Sequence, residues 1–327
     1  HATGNATTTG DSANLTWMMD TRRGREGWSP TLARMAGVPL GMLPPIVDGA
    51  SVAGALTPRS AADLGLDAGI PVLAGISDVT AAAIGSGATQ DGDMHICIGS
   101  SSWIAGFQPS RVLSGPHSFA TINSGVGNRL LLIATQESAG SALDWVGSLG
   151  GPQSAVDPGV ARMDDPIFVP WLAGERVPVD DDRVRGSFTG LALNHDHAAL
   201  HRSALEGVAL NLSWAHECVS RKLRGTRSDA PMPVVGGGAL NRPLVRMLAN
   251  TLERPLRLGR ERFAGVSGAA AIGAAAVGWH ADPWAAARVF ASEGGDIVEP
   301  DPHGVGLARQ RRASLEGLRP SLIRYYR

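Results

Sequence analysis

Asp78 ends the tetrapeptide Gly75-Ile76-Ser77-Asp78 and is followed at once by the Ala-rich run from Val79 to Ser86. A carboxylate at the start of a helix has two uses, and they do not exclude each other. It can cap the helix by accepting a first-turn N–H. Held ionised by the helix N-terminus, at the C-terminal end of a strand, it also sits where α/β sheets bind ligands. There it can take the proton of a substrate hydroxyl, as a phosphoryl acceptor requires.

Two small-residue turns could handle phosphate. Gly99-Ser100-Ser101-Ser102 separates two apolar runs. It is either a plain hairpin turn or a nest of N–H groups aimed at an anion. Gly236-Gly237-Gly238-Ala239 precedes a helix, and Asn241 occupies the last position of a would-be G-x-G-x-x-G. That disfavours a dinucleotide fingerprint and leaves room for a nucleotide lying over the glycines. Lys222 is the single lysine, so neither a P-loop lysine nor a protein-kinase strand lysine is available, and backbone amides must do much of any phosphate binding.

Other polar clusters read as structural. Asp180-Asp181-Asp182 lacks the spacing of a calcium loop and reads as a solvated loop. His195 and His197 have no further ligand to complete a metal site, so they read as surface residues and no metal ligand is assigned. Leu315, Leu318 and Leu322 make the Arg309–Arg327 tail a docked amphipathic helix rather than a nucleic-acid arm.

The elements that must position these groups follow from periodicity. Ile70–Ala74 reads as a buried strand, then Val79–Ser86 as a helix with Asp78 as its cap. Met94–Ile98 and Trp103–Phe107 form a hairpin; Ser118–Asn123 and Arg129–Thr135 add strands, and Gly140–Leu149 a helix. His201–Arg221 is a long amphipathic helix. Pro233–Val235, a helix opened by Asn241, Pro255–Leu258 and the helix Gly268–Val277 complete a βαβα unit. The first 70 residues show no strong strand pattern.

Bulk properties fit this outline. The 327 residues, 43% hydrophobic and 18% charged, allow about two domains of ordinary composition. A net charge of −1 calls for neither nucleic acid nor an anionic membrane. Cys97 and Cys218 lie too far apart in pattern to suggest a disulfide framework, and no signal peptide is visible, so a cytoplasmic location is expected. The run Ala264–Gly278 is apolar but too short to span a bilayer. The chain starts at His1 in a polar stretch, which reads as a fragment whose first element lies upstream.

In their order and spacing these pieces resemble the FGGY family of carbohydrate kinases, in its xylulose kinase-like branch. Gly75–Ala82 is similar to the family's Gly-x-(Gly/Ser)-Asp stretch, and Ile98-Gly99-Ser100-Ser101 to its phosphate hairpin. Gly140–Trp145 resembles the helix start beside the nucleotide, and Gly236–Ala239 the adenosine-side glycines. Pro170–Arg176, Arg185–Leu191 and Ala204–Ala209 resemble the second signature region. Ala199 and Val266-Ser267 depart from the pattern.

The resemblance implies an α/β fold of two ribonuclease-H-like lobes of the actin-like ATPase kind, the second complete and the first only partly present. Residues 1–74 are then the remnant of the sugar-binding lobe and 75–327 the nucleotide-binding lobe. It implies transfer of the γ-phosphoryl group of ATP, with Mg²⁺, to a hydroxyl of a ketopentose such as xylulose, with another ketose, a polyol or glycerol as the alternative acceptor. Asp78 is the implied base; Gly99, Ser100 and Ser101 face phosphate, while Gly140, Gly237, Gly238, Ala239 and Asn241 face the nucleoside. The expected partner is a small sugar, with a homodimer as a further option. A non-catalytic binding remnant, and a chaperone-like or acetate-kinase-like ATPase, are the rival expectations.

Overall fold

The computed structural model describes residues 1–150, 161–223, 230–259, 263–292 and 295–326. The first segment holds only short elements. Strand β1 (Thr8–Thr9) leads into α1 (Gly10–Leu15), followed by the hairpin of β2 (Met19–Asp20) and β3 (Gly27–Trp28) and by α2 (Pro30–Met35). β4 (Ile46–Val47) pairs in parallel with β1; β5 (Val52–Ala55), α3 (Pro58–Leu64) and β6 (Pro71–Leu73) follow. Ser29 and Thr57 cap α2 and α3, each with proline in the first turn, the pattern expected of a helix start.

β6 corrects the expectation for Ile70–Ala74. It pairs only with β5, contains no buried residue, and does not join the large sheet. Pro71 opens it and cannot donate to a ladder, which suits an edge strand and not a central one. The helix after it, α4, runs from Asp78 to Gly85.

The large sheet takes its strands from the rest of the chain: β7 (His95–Ile98), β8 (Ser102–Gln108), β9 (Leu113–Ser114), β10 (Phe119–Asn123) and β11 (Leu130–Gln136). After α5 (Gly140–Ser148), the separate pair β12 (Ile167–Val169) and β13 (Ser187–Thr189), and α6 (His197–Lys222), the chain returns to it. It adds β14 (Met232–Val235), then α7 (Arg242–Leu252), β15 (Leu256–Leu258), α8 (Ala264–Ala276), α9 (Pro283–Ser292), β16 (Ile297–Val298) and α10 (Pro302–Tyr326).

The strand order is β16-β15-β14-β7-β8-β11-β10-β9. β7, β8 and β11 are antiparallel neighbours, while β14 and β15 run parallel to β7. Taken in chain order the five central strands lie third, second, first, fourth, fifth, the ribonuclease-H-like arrangement that was expected.

Strand side chains alternate between two cores, as the period of two demands. Ile96, Ile98, Ile104 and Leu132 pack with Leu205, Val208 and Leu212 of α6 and Leu244, Val245 and Leu248 of α7. Ala105, Phe107 and Leu131 face the other way, against Val79, Ala83 and Ile84 of α4, Ala271 and Ile272 of α8, and Ala286 of α9. α10 docks as expected, with Leu315 buried beneath it beside Leu210 of α6. Among the described residues no helix is long and apolar enough to cross a membrane; the apolar run Ala264–Gly278 is α8 and its exit turn.

The helix that carries Asp78 is held by a close backbone approach. A methyl group on Gly85 would strike the Ala264 carbonyl, and one on Gly268 the Ala81 carbonyl. The small residues of α8 are therefore the contact surface for α4. Gly268→Ala tests this. Helix propensity alone favours the change by about 1 kcal/mol. Overpacking against backbone costs about 1–3 kcal/mol and cannot be relieved by a rotamer change. We expect net destabilisation in urea denaturation; unchanged or raised stability would show that the crossing has slack.

Candidate active site

Asp78 does not cap its helix. The cap is Ser77, whose Oγ accepts the Thr80 N–H at 3.4 Å, and Asp78 is the first helical residue. Among the described residues its Oδ1 accepts only the adjacent Val79 N–H, at 2.8 Å, and the residue is exposed. This corrects the expected capping role. With Ser77 doing that work, the Asp78 carboxylate is left open to solvent in the favourable field of a helix N-terminus. Its charge is felt on the strand that leads into the phosphate-type hairpin: Cys97, two residues before Gly99, has its thiol pushed up to about 12 by burial and, second, by Asp78.

The turn that presents Asp78 is anchored from the first segment. Buried Asp11, at the start of α1, accepts the Ser77 N–H at 2.9 Å, the Ser77 hydroxyl at 2.8 Å and the Thr80 hydroxyl at 2.7 Å, all on Oδ2. Its Oδ1 accepts the Thr9 hydroxyl at 2.6 Å and the Ser12 N–H at 2.8 Å. Burial acts to raise the Asp11 carboxyl, and the donors from Thr9, Ser77 and Thr80 outweigh it, so the net shift is downward.

Gly99–Ser101 lies at the β7–β8 hairpin, with Gly99 and Ser100 exposed. The hairpin is pinned to α5. Gly140 N–H donates to the Gly99 carbonyl at 2.9 Å, and Ala139 and Ser141 N–H donate to the Ser100 carbonyl at 2.9 and 3.0 Å. Any side chain on Gly140 would strike Gly99. Gly99 N–H itself donates to the Ser101 carbonyl at 2.8 Å. The amides of Gly99 and Gly140 are therefore committed within the protein. Among the described residues those of Ser100 and Ser101 have no internal partner and are the hairpin's free donors.

β14 runs parallel to β7, so Gly236–Asn241 emerges at the same sheet edge. Gly236 has φ +87°, and a Cβ there would lie 2.6 Å from the Ile98 carbonyl oxygen. Gly238 packs as closely on the Ile98 side chain, whereas among the described residues nothing lies within 4 Å of where a Gly237 Cβ would be. Gly237 is thus the open position over which a flat ligand could lie. Ala239 is buried in the main core and presents no side chain to the edge. The Asn241 Oδ1 is taken by the Leu244 N–H at 3.1 Å as the cap of α7. Both residues shape the turn from behind.

β11 points the same way as β7, which brings Glu137 to this edge as well. Glu137 pairs with Arg176 at 2.8 Å beside a cavity of about 740 Å³ lined also by Glu175 and Asp180–Arg183. Buried Glu175 accepts the Glu137 N–H at 3.0 Å, the Arg176 N–H at 2.9 Å and the Asn211 carboxamide N–H at 2.7 Å. Asn211 is fixed in turn by the Trp171 indole N–H at 3.0 Å. In the Asp180–Asp182 run, Asp180 and Asp182 are exposed as expected, but Asp181 is buried, and Arg183 forks onto it at 3.0 Å. His195 and His197 are half-buried, not surface residues: His195 Nε2 lies 2.8 Å from the Asp164 carbonyl and His197 Nε2 3.1 Å from that of Val146. Among the described residues no group of three or more His, Cys, Asp or Glu could hold a metal ion.

Sequence reasoning missed Asp11, Glu137, Asn211 and the role of Ser77. Thr9-Gly10-Asp11-Ser12 carried a capping-type signal for a short helix, but nothing local tied it to residue 77. Glu175 was noted only as part of a signature stretch. Burial pushes its carboxyl up to about 8. Because the folded group holds its proton where the unfolded one has lost it, the contribution of Glu175 to stability is full below about pH 4.5 and is lost as pH rises toward 8. We expect Glu175→Gln to flatten the decline in melting temperature between those limits; an unaltered slope would assign it to other groups.

Comparison with known proteins bears on the whole constellation. Residues 94–277 match the sequence model of the FGGY family of carbohydrate kinases, C-terminal domain, and residues 2–85 that of its N-terminal domain. The chain is 27% identical to a xylulose kinase of Bacillus subtilis over 82% of its own length and 55% of that protein's. It is 29% identical to a glycerol kinase of Myxococcus xanthus over 88% of its own length and 59% of the relative's. A ligand-bound xylulose kinase from Lactobacillus acidophilus superposes with a TM-score of 0.88 at 22% identity, covering 99% of this chain and 66% of that one, which shows the shared fold. The chain spans little more than half the length of the curated relatives it matches. With both family domains matched in order across Asp78 and the glycine turns, this chain belongs to the FGGY family of carbohydrate kinases.

Proposed function

We propose that this chain supplies the base and the nucleotide side of an ATP-dependent sugar kinase whose acceptor is a ketopentose such as xylulose. The observation that carries the reading is the Asp78 carboxylate, exposed and freed from capping by Ser77, on a helix start whose charge reaches the strand leading to the Gly99–Ser101 hairpin. We place residues 1–74 in the sugar-binding lobe and 75–327 in the nucleotide-binding lobe, with the match to the family's N-terminal domain running past that division through α4 to residue 85.

Asp78 accepts the proton of the attacking sugar hydroxyl. The free amides of Ser100 and Ser101 meet phosphate oxygens, with Gly99 and Gly140 clamping the hairpin in place. Gly237 and Gly238 offer a surface without side chains to the adenosine, and Ala239 and Asn241 hold that turn from behind. These residues fit a triphosphate and a flat base. Among the described residues no group of three or more His, Cys, Asp or Glu could hold a cation. When bound, MgATP supplies the transferable γ-phosphoryl and offsets the charge that develops during transfer. The protein's part is alignment and exclusion of water.

The ketopentose rests on the name of the Bacillus subtilis relative; the Myxococcus xanthus glycerol kinase favours a second reading, a polyol acceptor at the same site. ADP release on a panel of ketoses, polyols and glycerol decides between them. In the productive assay Asp78→Asn should lower kcat by about 10²- to 10⁴-fold. ATP affinity by calorimetry should stay within about twofold, since Asp78 touches the acceptor. Loss of ATP binding in a folded variant would return Asp78 to a structural role.

A further inference from the structure

We propose that Asp11 is a positioning residue for the base: its buried carboxylate ties the first segment of the chain to the turn that aims Asp78. The inference rests on the reading of Asp78 as general base.

Asp11 is fully buried and lies 66 residues from Ser77, yet it takes three donors from Ser77, just before the base, and Thr80, two residues after it. Those three meet on a single oxygen, Oδ2. The Ser77 hydroxyl that donates to Asp11 is the same one that caps α4, so the cap is held in its working orientation by a carboxylate from elsewhere in the chain. The other oxygen, Oδ1, engages Thr9 and Ser12 of its own turn. One side chain therefore fixes α1 and the start of α4 together. Gly125 lies close against it: a Cβ there would come within 2.7 Å of Oδ2, so this position admits no side chain beside the carboxylate.

Asp78 has no comparable restraint of its own. Its side chain is exposed and meets only the Val79 N–H, so its aim is set by the backbone of residues 77–80. A loose turn would still present a carboxylate, but with the scatter that transfer chemistry does not tolerate; a misplacement of about 1 Å costs on the order of 10²-fold in rate.

Asp11→Asn keeps the shape and places an amide NH₂ against donors on one side or the other. In the full chain with MgATP and the productive sugar, we expect kcat to fall about 10- to 100-fold with KM for ATP within about twofold. Amide hydrogen exchange should quicken over residues 76–80. Leu315→Ala, which opens a cavity under α10 away from this turn, serves as the control for lost stability and should leave kcat within about twofold. If Asp11→Asn fails to fold, Thr80→Val and Ser77→Ala remove the same bonds from the other side, and each should lower kcat with the same split. Folded variants whose kcat stays within about twofold of wild type overturn the proposal. An Asp78→Asn enzyme that remains active overturns the base reading instead, so the two failures are told apart.

Discussion

Gly140 donates its N–H to the Gly99 carbonyl across a gap that admits no side chain, and the candidate site is arranged around that contact. It joins the β7–β8 hairpin to the first turn of α5, and with the Ala139 and Ser141 amides it commits the carbonyls of Gly99 and Ser100. A hairpin whose carbonyls are occupied from behind can turn only its remaining N–H groups outward, and outward-facing N–H groups attract anions. Glycine is required because the separation is a backbone hydrogen bond, with no room for a methyl. The same logic recurs at Gly236 and Gly238 against Ile98, and at Gly268 against Ala81.

Around this edge the protein buries carboxylates, and in each case the compensation is explicit. Asp11 receives five donors and Glu175 three. The two end differently. Donors outweigh burial at Asp11 and hold its carboxyl down, while at Glu175 burial prevails and the group is pushed up to about 8. A single buried carboxylate left without partners would cost several kcal/mol. Spending donors this way makes sense where loops must keep a fixed relation, and both residues clasp loops: Asp11 the Asp78 turn, Glu175 the Glu137 and Arg176 backbones. Further from the edge, Arg311 on α10 meets Glu206 of α6 at 2.5 Å, and Arg202 forks onto Asp165 at 2.7 and 3.0 Å. These buried pairs dock the C-terminal helix and the β12 region onto α6.

Much of the fold was legible because its elements carry strong local signals. The alternation in Met94–Ile98, Trp103–Phe107 and Arg129–Thr135 marked strands to within about two residues, and a hairpin followed later by a βαβα unit was readable from periodicity, while the ribonuclease-H-like arrangement came from the family resemblance. Asn241 was legible as a helix opener because a side-chain cap is written within four residues. Ile70–Ala74 was misread for the complementary reason. An apolar run of five residues has no period that distinguishes a central strand from the edge of a two-stranded pair, and only the partner strand decides. Asp78 was assigned the cap because Ser77 and Asp78 are both good caps, and one residue of helix phase cannot be read from composition.

The sequence by itself determined which residues could do chemistry: a carboxylate at a helix start, glycine turns at the ends of apolar runs, and no lysine but Lys222. Those are properties of residue type and short spacing, governed by backbone sterics and helix-end electrostatics that act within a few residues. Only the tertiary structure decided which groups remain available. It showed that, among the described residues, the amides of Gly99 and Gly140 are committed and those of Ser100 and Ser101 are not, that Ala239 faces the core while no neighbour crowds Gly237, and that Ser77 takes the capping role from Asp78. It also brought Asp11 to a turn 66 residues away. Availability is set by what the rest of the chain places within hydrogen-bonding distance, and contacts across such separations leave no trace in local sequence.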